Sequence, residues 1–221
     1  MRVMVIDVGG SHIKVATNRS PDHRMIESGP TLTPAEMVHA VREATADWEY
    51  DAISIGYPGP AAGHRPVGEP ANLGEGWVDF DFAAAFGRPV KLVNDALMQA
   101  IGSYEGGRML FLGLGTGLGS ALVLDNHGYP LEFAHLPYRK RRSFEDSLGE
   151  AGRRRAGNRK WGKRVADVTE RLHKATQVDY VLIGGGNVEH IKEMPEGSRR
   201  GENDKAFVGG FRLWDAGGIT T

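Results

Sequence analysis

Apolar positions dominate residues 1–8, with Asp7 the polar interruption near the end, and this run predicts a strand. Gly9-Gly10-Ser11 reads as a turn and residues 13–17 as a second strand, so the chain opens with a hairpin. Thr33-Pro34-Ala35-Glu36 is a capping box with proline at the first helical position. The helix it starts carries Met37, Val38, Val41, Ala44 and Trp48 along one face. Residues 52–55 form a strand that runs into Gly56-Tyr57-Pro58-Gly59. An irregular stretch covers residues 60–77, and Asp79 then caps a short helix closed by Gly87.

Residues 90–93 are a short apolar strand. Beyond it Leu97, Ala100, Ile101 and Tyr104 fall at helical spacing until Gly106-Gly107 stop the helix. Asn94 and Asp95 stand where strand becomes helix, a place where either residue type serves as a cap. Residues 108–114 and 120–125 are strands around Gly115-Thr116-Gly117. Val165, Val168, Leu172 and Ala175 mark an amphipathic helix, and residues 179–183 a buried strand followed by Gly184-Gly185-Gly186-Asn187. Residues 2–15 line up with residues 108–121 as strand, small-residue turn and strand. This internal match predicts two related halves, 1–106 and 107–221.

Composition narrows the chemistry. The chain has 221 residues, 40% apolar and 25% charged, with a formal charge of −1, which gives no general reason to expect nucleic acid as a partner. Zero cysteines exclude disulfides, thiolate zinc sites and a cysteine nucleophile, and fit a cytoplasmic setting. No apolar run approaches the roughly 20 residues of a membrane span. Residues 139–164 are rich in Arg and Lys, either a solvated surface or a site for a polyanionic donor.

The 31 glycines exceed the usual share of about 7% and cluster after strands. No Gly-Lys-Ser/Thr triplet opens a helix, so a Walker-type loop is disfavoured. The segment Gly113-Leu-Gly-Thr-Gly-Leu-Gly leads into a strand rather than a helix, so a Rossmann fingerprint is disfavoured as well. Two matching hairpin turns remain, and their backbone N–H groups can cradle phosphate oxygens.

The segments Asp7-Val-Gly-Gly-Ser-His-Ile-Lys, Gly56-Tyr-Pro-Gly, Asn72-Leu-Gly, Val93-Asn-Asp, Leu112-Gly-Leu-Gly-Thr-Gly-Leu-Gly-Ser, Glu132-Phe-Ala-His and Ile183-Gly-Gly-Gly-Asn stand in the order seen in ROK-family sugar kinases. The chain resembles the polyphosphate glucokinase branch most. The resemblance implies an α/β fold of two actin-like (ribonuclease H-like) domains with a cleft between them, and phosphoryl transfer from ATP or polyphosphate to a hexose, glucose first. Under it Asp95 matches the catalytic base, and Asn72, Asn94, Glu132, His135 and Glu150 match sugar contacts. Gly9, Gly10, Ser11, Gly115, Thr116 and Gly117 match the phosphate turns, and Gly185 and Gly186 the segment that approaches adenosine. Lys14 is either a phosphate partner or a solvated side chain.

Asp7 is expected to orient Mg²⁺ through water. The resemblance further implies a homodimer and, in this branch, no structural zinc. Ala134 replaces the glycine usual between the paired Glu and His, which bears on the turn if that position needs positive φ. A non-catalytic sugar sensor and a degenerate kinase kept as an interaction partner are the competing expectations. A DNA-binding domain of the repressor kind is not expected ahead of a first strand that starts at Met1.

Overall fold

The computed structural model describes residues 1–202 and 204–221. The chain divides into two compact units: Met1–Gly102 with Ala206–Thr221, and Ser103–Lys205. This corrects the expected division at 106/107 in one important respect. The chain leaves the first unit for the second and then returns to complete the first.

In the first unit β1 (Val3–Val8), β2 (His12–Thr17) and β3 (His23–Glu27) form an antiparallel meander. Helix α1 (Pro34–Ala44) follows, with the expected capping box of Thr33 and Glu36. Next come β4 (Ala52–Tyr57), a small hairpin of β5 (Ala61–Ala62) and β6 (Arg65–Pro66), α2 (Phe82–Phe86), β7 (Val90–Asn94) and α3 (Asp95–Ser103). The cap of α2 is Asp81, whose Oδ1 accepts the Ala84 N–H at 2.9 Å, rather than Asp79. The sheet order is β3-β2-β1-β4-β7, with β1, β4 and β7 parallel.

The second unit repeats this plan. Strands β8 (Arg108–Leu114), β9 (Leu118–Leu124) and β10 (His127–Leu131) form its meander. Helices α4 (Phe144–Leu148), α5 (Glu150–Ala156) and α6 (Asn158–Thr176) then precede β11 (Tyr180–Gly184) and β12 (Ser198–Arg200). The order β10-β9-β8-β11-β12 matches the first sheet strand for strand, again with the last two parallel to the first. The repeat read from residues 2–15 and 108–121 is therefore real at the level of strands. The turns differ by one residue, since Val8 pairs with Ile13 but Leu114 pairs with Leu118.

Helix α7 (Lys205–Arg212) carries the chain back to the first unit. It lies so close to α3 and β1 that a Cβ on Gly209 would collide with the Met98 carbonyl oxygen, and one on Gly210 with Val5. Alternation sorts the residues of the first sheet by face. Met4, Ile6, Val8, Ile53, Ile55, Tyr57 and Leu92 join α1 in one core, and Trp77 seals it at 0% exposure. Val5, Asp7, Ser54, Gly56, Lys91 and Val93 face the layer of α3 and α7: Ser54 Oγ donates to Gly210 O at 2.6 Å and Lys91 Nζ to Leu213 O at 2.6 Å. The second unit has its own core, with Leu110, Leu112, Val181 and Ile183 packed against Trp161, Val165 and Val168 of α6. Among the described residues, no helix is long and apolar enough to cross a membrane.

Candidate active site

Open α/β sheets bind ligands beyond the carboxyl ends of their parallel strands, because loops there leave the sheet while helix N-termini point inward. In the first unit that edge is formed by the ends of β1, β4 and β7. It holds Asp7, the turn of Gly9, Gly10 and Ser11, the Gly56–Gly59 loop, Asn94 and Asp95. Asp7 is level with Gly56, and Gly56 with Val93. At about 4.8 Å per strand, β1 and β7 lie about 10 Å apart.

Asp7 faces the α3 layer, the layer whose helix begins with Asp95. Gly56 lies between them. A Cβ there would collide with Met98 Cε and stand 3.5 Å from Asp7 Oδ1, so glycine keeps the space beside this carboxylate. Burial pushes the Asp7 carboxyl above its ordinary range, and the charge of Lys14, its cross-strand partner, partly offsets this. Lys14 is thus an electrostatic neighbour of Asp7 on an otherwise exposed side chain. Among the described residues no group of three or more His, Cys, Asp or Glu could hold a metal ion. A single partly buried carboxylate suits Mg²⁺, which keeps several waters and takes further oxygens from phosphate.

The strand-to-helix join uses its two polar residues differently. Asn94 is 8% exposed; its Oδ1 accepts the Leu97 N–H at 3.1 Å, and its Nδ2 donates to Gly59 O at 3.2 Å. It caps α3 and ties the Gly56–Gly59 loop to the end of β7. Asp95 is half-buried, and its Oδ1 accepts the Ala96 N–H at 2.7 Å, which fixes the orientation of the carboxylate. Gly9 closes the first turn by donating to His12 O at 3.0 Å. Asn72 approaches that turn from its own loop: a Cβ on Gly10 would lie 3.4 Å from Asn72 Cβ.

The carboxyl edge of the second sheet is built alike. Gly115 N–H donates across the turn to Gly117 O at 3.1 Å, while Gly115 O accepts from Glu150 N–H at 3.1 Å and from Asn187 Nδ2 at 2.9 Å. Thr116 is exposed at the tip. Gly185 takes φ +82° and lies against the Leu114 backbone, a place closed to any side chain, and Gly186 stands exposed beside it. Sequence reasoning missed Glu145. Its Oε2 accepts the Leu118 N–H at 3.2 Å and lies against Gly117, a contact between residues far apart in the chain.

Glu132 and His135 flank a single 3-10 turn with Oε2 and Nε2 3.8 Å apart, both largely exposed. Ala134 between them is 4% exposed, packs into the core and does not adopt positive φ. The replacement of glycine is therefore accommodated without strain. Buried Ser120 sets this turn, its Oγ donating to Leu131 O at 2.7 Å and accepting from Phe133 N–H at 3.1 Å.

Glu150 departs from expectation. Arg153 donates to its carboxylate through Nε and Nη2, both at 2.9 Å, and Arg154 adds a third bond, holding its pKa down at about 2. The side chain is committed to its own helix, while its N–H braces the Gly115–Gly117 turn. The basic segment is likewise partly spent within the chain. Arg139 pairs with Asp167 at 3.1 Å, and Arg155 donates to Asp146 O. A groove of about 470 Å³ along α1, lined by Ala35, Val38, His39, Arg42 and Phe80, contains none of these residues.

No family model and no curated protein matches the chain. Solved structures do. The inorganic polyphosphate/ATP-glucomannokinase from Arthrobacter sp. strain KM superposes with a TM-score of 0.81 at 20% identity, covering 94% of this chain and 96% of that one. The ROK hexokinase from Thermus thermophilus gives 0.70 at 21% identity over 95% and 96% of the two chains. A ROK-family glucokinase from Streptomyces griseus, solved with glucose and AMPPNP, gives 0.73 at 16% identity over 95% and 97%. The chain shares the fold of these proteins, two actin-like (ribonuclease H-like) α/β units, as expected.

Proposed function

We propose that this protein is a sugar kinase, transferring a phosphoryl group from ATP or polyphosphate to a hexose hydroxyl, glucose 6-OH in the first instance. The observation that carries the proposal is the carboxyl edge of the first sheet. There one loop-free strand-to-helix join presents Asp95 on the layer that Asp7 faces, with the Gly9–Ser11 turn at the same edge. The shared fold supports the same reading, since a neighbour of that fold was solved with glucose and a nucleotide analogue.

A sugar hydroxyl is a weak nucleophile, and phosphoryl transfer relies on positioning and charge neutralisation more than on covalent chemistry. In this reading Asp95 accepts the hydroxyl proton as the oxygen attacks, its carboxylate already oriented by the Ala96 N–H. Asn72 takes a neighbouring sugar hydroxyl, and Asn94, whose amide is engaged at both ends, acts by holding the join and the Gly56–Gly59 loop. Glu132 and His135 are assigned further sugar hydroxyls in this reading, both side chains being largely exposed. Glu150 is left out of the sugar set because Arg153 and Arg154 hold its carboxylate against its own helix. The glycine turns at 9–11 and 115–117 offer backbone N–H groups to the donor's phosphates, and Gly185 and Gly186 offer a flat approach for adenosine. Asp7 would hold Mg²⁺ through water, supplying positive charge against the phosphates.

The test is a grid of donors against hexoses, wild type beside Asp95→Asn. Turnover with at least one pair is expected, with kcat falling by about a thousandfold in the variant while the fold is retained. A non-catalytic sugar-binding protein of this fold would bind a hexose and turn over with no donor, in either form.

A further inference from the structure

Asn72 sits on the long loop from β6 to α2, and that loop is anchored more firmly than its irregular sequence suggests. At its apex Leu73 is 7% exposed, and Gly74 N–H donates to Leu32 O at 3.0 Å. A Cβ on Gly74 would come within 2.6 Å of Thr31 O, so the loop presses directly on the backbone ahead of α1. At its start Tyr57 OH donates to Gly68 O at 2.8 Å. Glu69 follows, and its two carboxylate oxygens accept from consecutive amides on the returning limb, Trp77 N–H at 3.1 Å and Val78 N–H at 3.3 Å. Buried Pro70 fixes the chain direction immediately after it.

We propose that Glu69 is a positioning residue: its carboxylate clamps the two limbs of this loop together and thereby sets Asn72, the sugar contact, beside Gly10 of the first turn. The consequence for sugar rests on the kinase reading above; the clamp itself does not. A carboxylate accepting two main-chain N–H groups is charge-assisted and bidentate, which gives both strength and a defined geometry. It closes seven intervening residues, whose freedom would otherwise be spent each time a ligand ordered them. Burial, and after it the charge of Glu69, pushes the Tyr57 phenol up, which keeps its hydroxyl protonated as the donor to Gly68. Asn72 itself is exposed between these anchors, so its placement depends on them rather than on its own packing.

The clamp is tested on the full chain with Glu69→Ala and Glu69→Gln; the glutamine keeps one acceptor oxygen and loses the other. Hydrogen exchange at the Trp77 and Val78 amides is expected to rise about tenfold in Glu69→Ala, with Glu69→Gln intermediate. The hexose KM should rise about tenfold in Glu69→Ala with kcat within about twofold, again with Glu69→Gln between. A merely structural contribution would lower the unfolding midpoint and leave the KM-to-kcat split untouched. Unchanged exchange in Glu69→Ala overturns the clamp. Faster exchange with unchanged hexose KM overturns its role in positioning. If wild type turns over no hexose, the kinase reading has failed, and the positioning role is then decided by exchange and by the hexose dissociation constant of the same variants.

Discussion

The Glu150 carboxylate takes its hydrogen bonds from Arg153 and Arg154, one turn further along its own helix. These are the i,i+3 and i,i+4 spacings at which opposite charges meet on a helix, and both arginines belong to the basic segment visible in the sequence. The motif position of Glu150 suggested a sugar contact; the neighbouring charges decided its orientation. The pairing has a pH signature. The folded state lowers this carboxyl from the ordinary 4.5 to about 2, so it favours the ionised form. Its contribution to stability is therefore present in full above about pH 4.5 and is lost as pH falls towards 2. Glu150→Gln is expected to lower the urea midpoint at pH 7 slightly, to leave it unchanged at pH 2, and to flatten the slope between. An equal loss for wild type and variant across that window would mean the arginines do not hold this carboxylate in solution. Ala134 teaches the complementary lesson. The missing glycine was legible, but only the 3-10 turn and the buried methyl showed that no positive φ was needed.

Among the elements, those with dense apolar runs were legible: both leading hairpins, β4, β7, β11, and α1 with its capping box. The edge strands β3 and β10 were not. His23-Arg-Met-Ile-Glu buries no residue fully, and β10 contains Gly128 and Pro130, which an edge tolerates and a central strand does not. Helix α7 escaped because Gly209-Gly210 reads as a helix breaker. The reason for those glycines is packing. The α7 backbone approaches α3 at the Met98 carbonyl, one turn from Asp95, and approaches β1 at Val5. Arg212 Nη1 donates to Ile101 O at 2.9 Å and caps the far end of the same helix α3. Helix α7 is thus a brace for the helix that begins with Asp95. Gly209→Ala is expected to cost about 1–3 kcal/mol in stability by overpacking, measured by chemical denaturation, and, under the proposed kinase activity, to lower kcat as α3 shifts. A neutral change in both would mean that α7 slides away freely and braces nothing.

At the scale of the whole chain, the two units share one strand order, yet they are not equal segments laid end to end. The repeat was legible because each copy opens with a near-continuous buried apolar strand that ends in a small-residue turn. The return of residues 206–221 to the first unit was not, since nothing local in a glycine-rich helix names its distant partner. That return predicts an asymmetry in folding. Residues 103–205 contain the whole of their sheet, its core and the helices that cover it, so this fragment is expected to unfold cooperatively on its own. Residues 1–102 lack the Gly210 and Leu213 carbonyls that satisfy Ser54, at 0% exposure, and Lys91, and lack Trp214, whose Nε1 donates to Ser54 Oγ at 2.9 Å. They also lack the backbone that covers Val5 and Met98. A buried hydroxyl without its partner and an uncovered apolar face each cost more than a small unit can spare. The fragment 1–102 is therefore expected to show no sharp thermal transition, and joining residues 206–221 to it by a flexible linker should restore one. If 1–102 alone melted as sharply as the joined form, α7 would be an accessory to the first unit rather than part of its core.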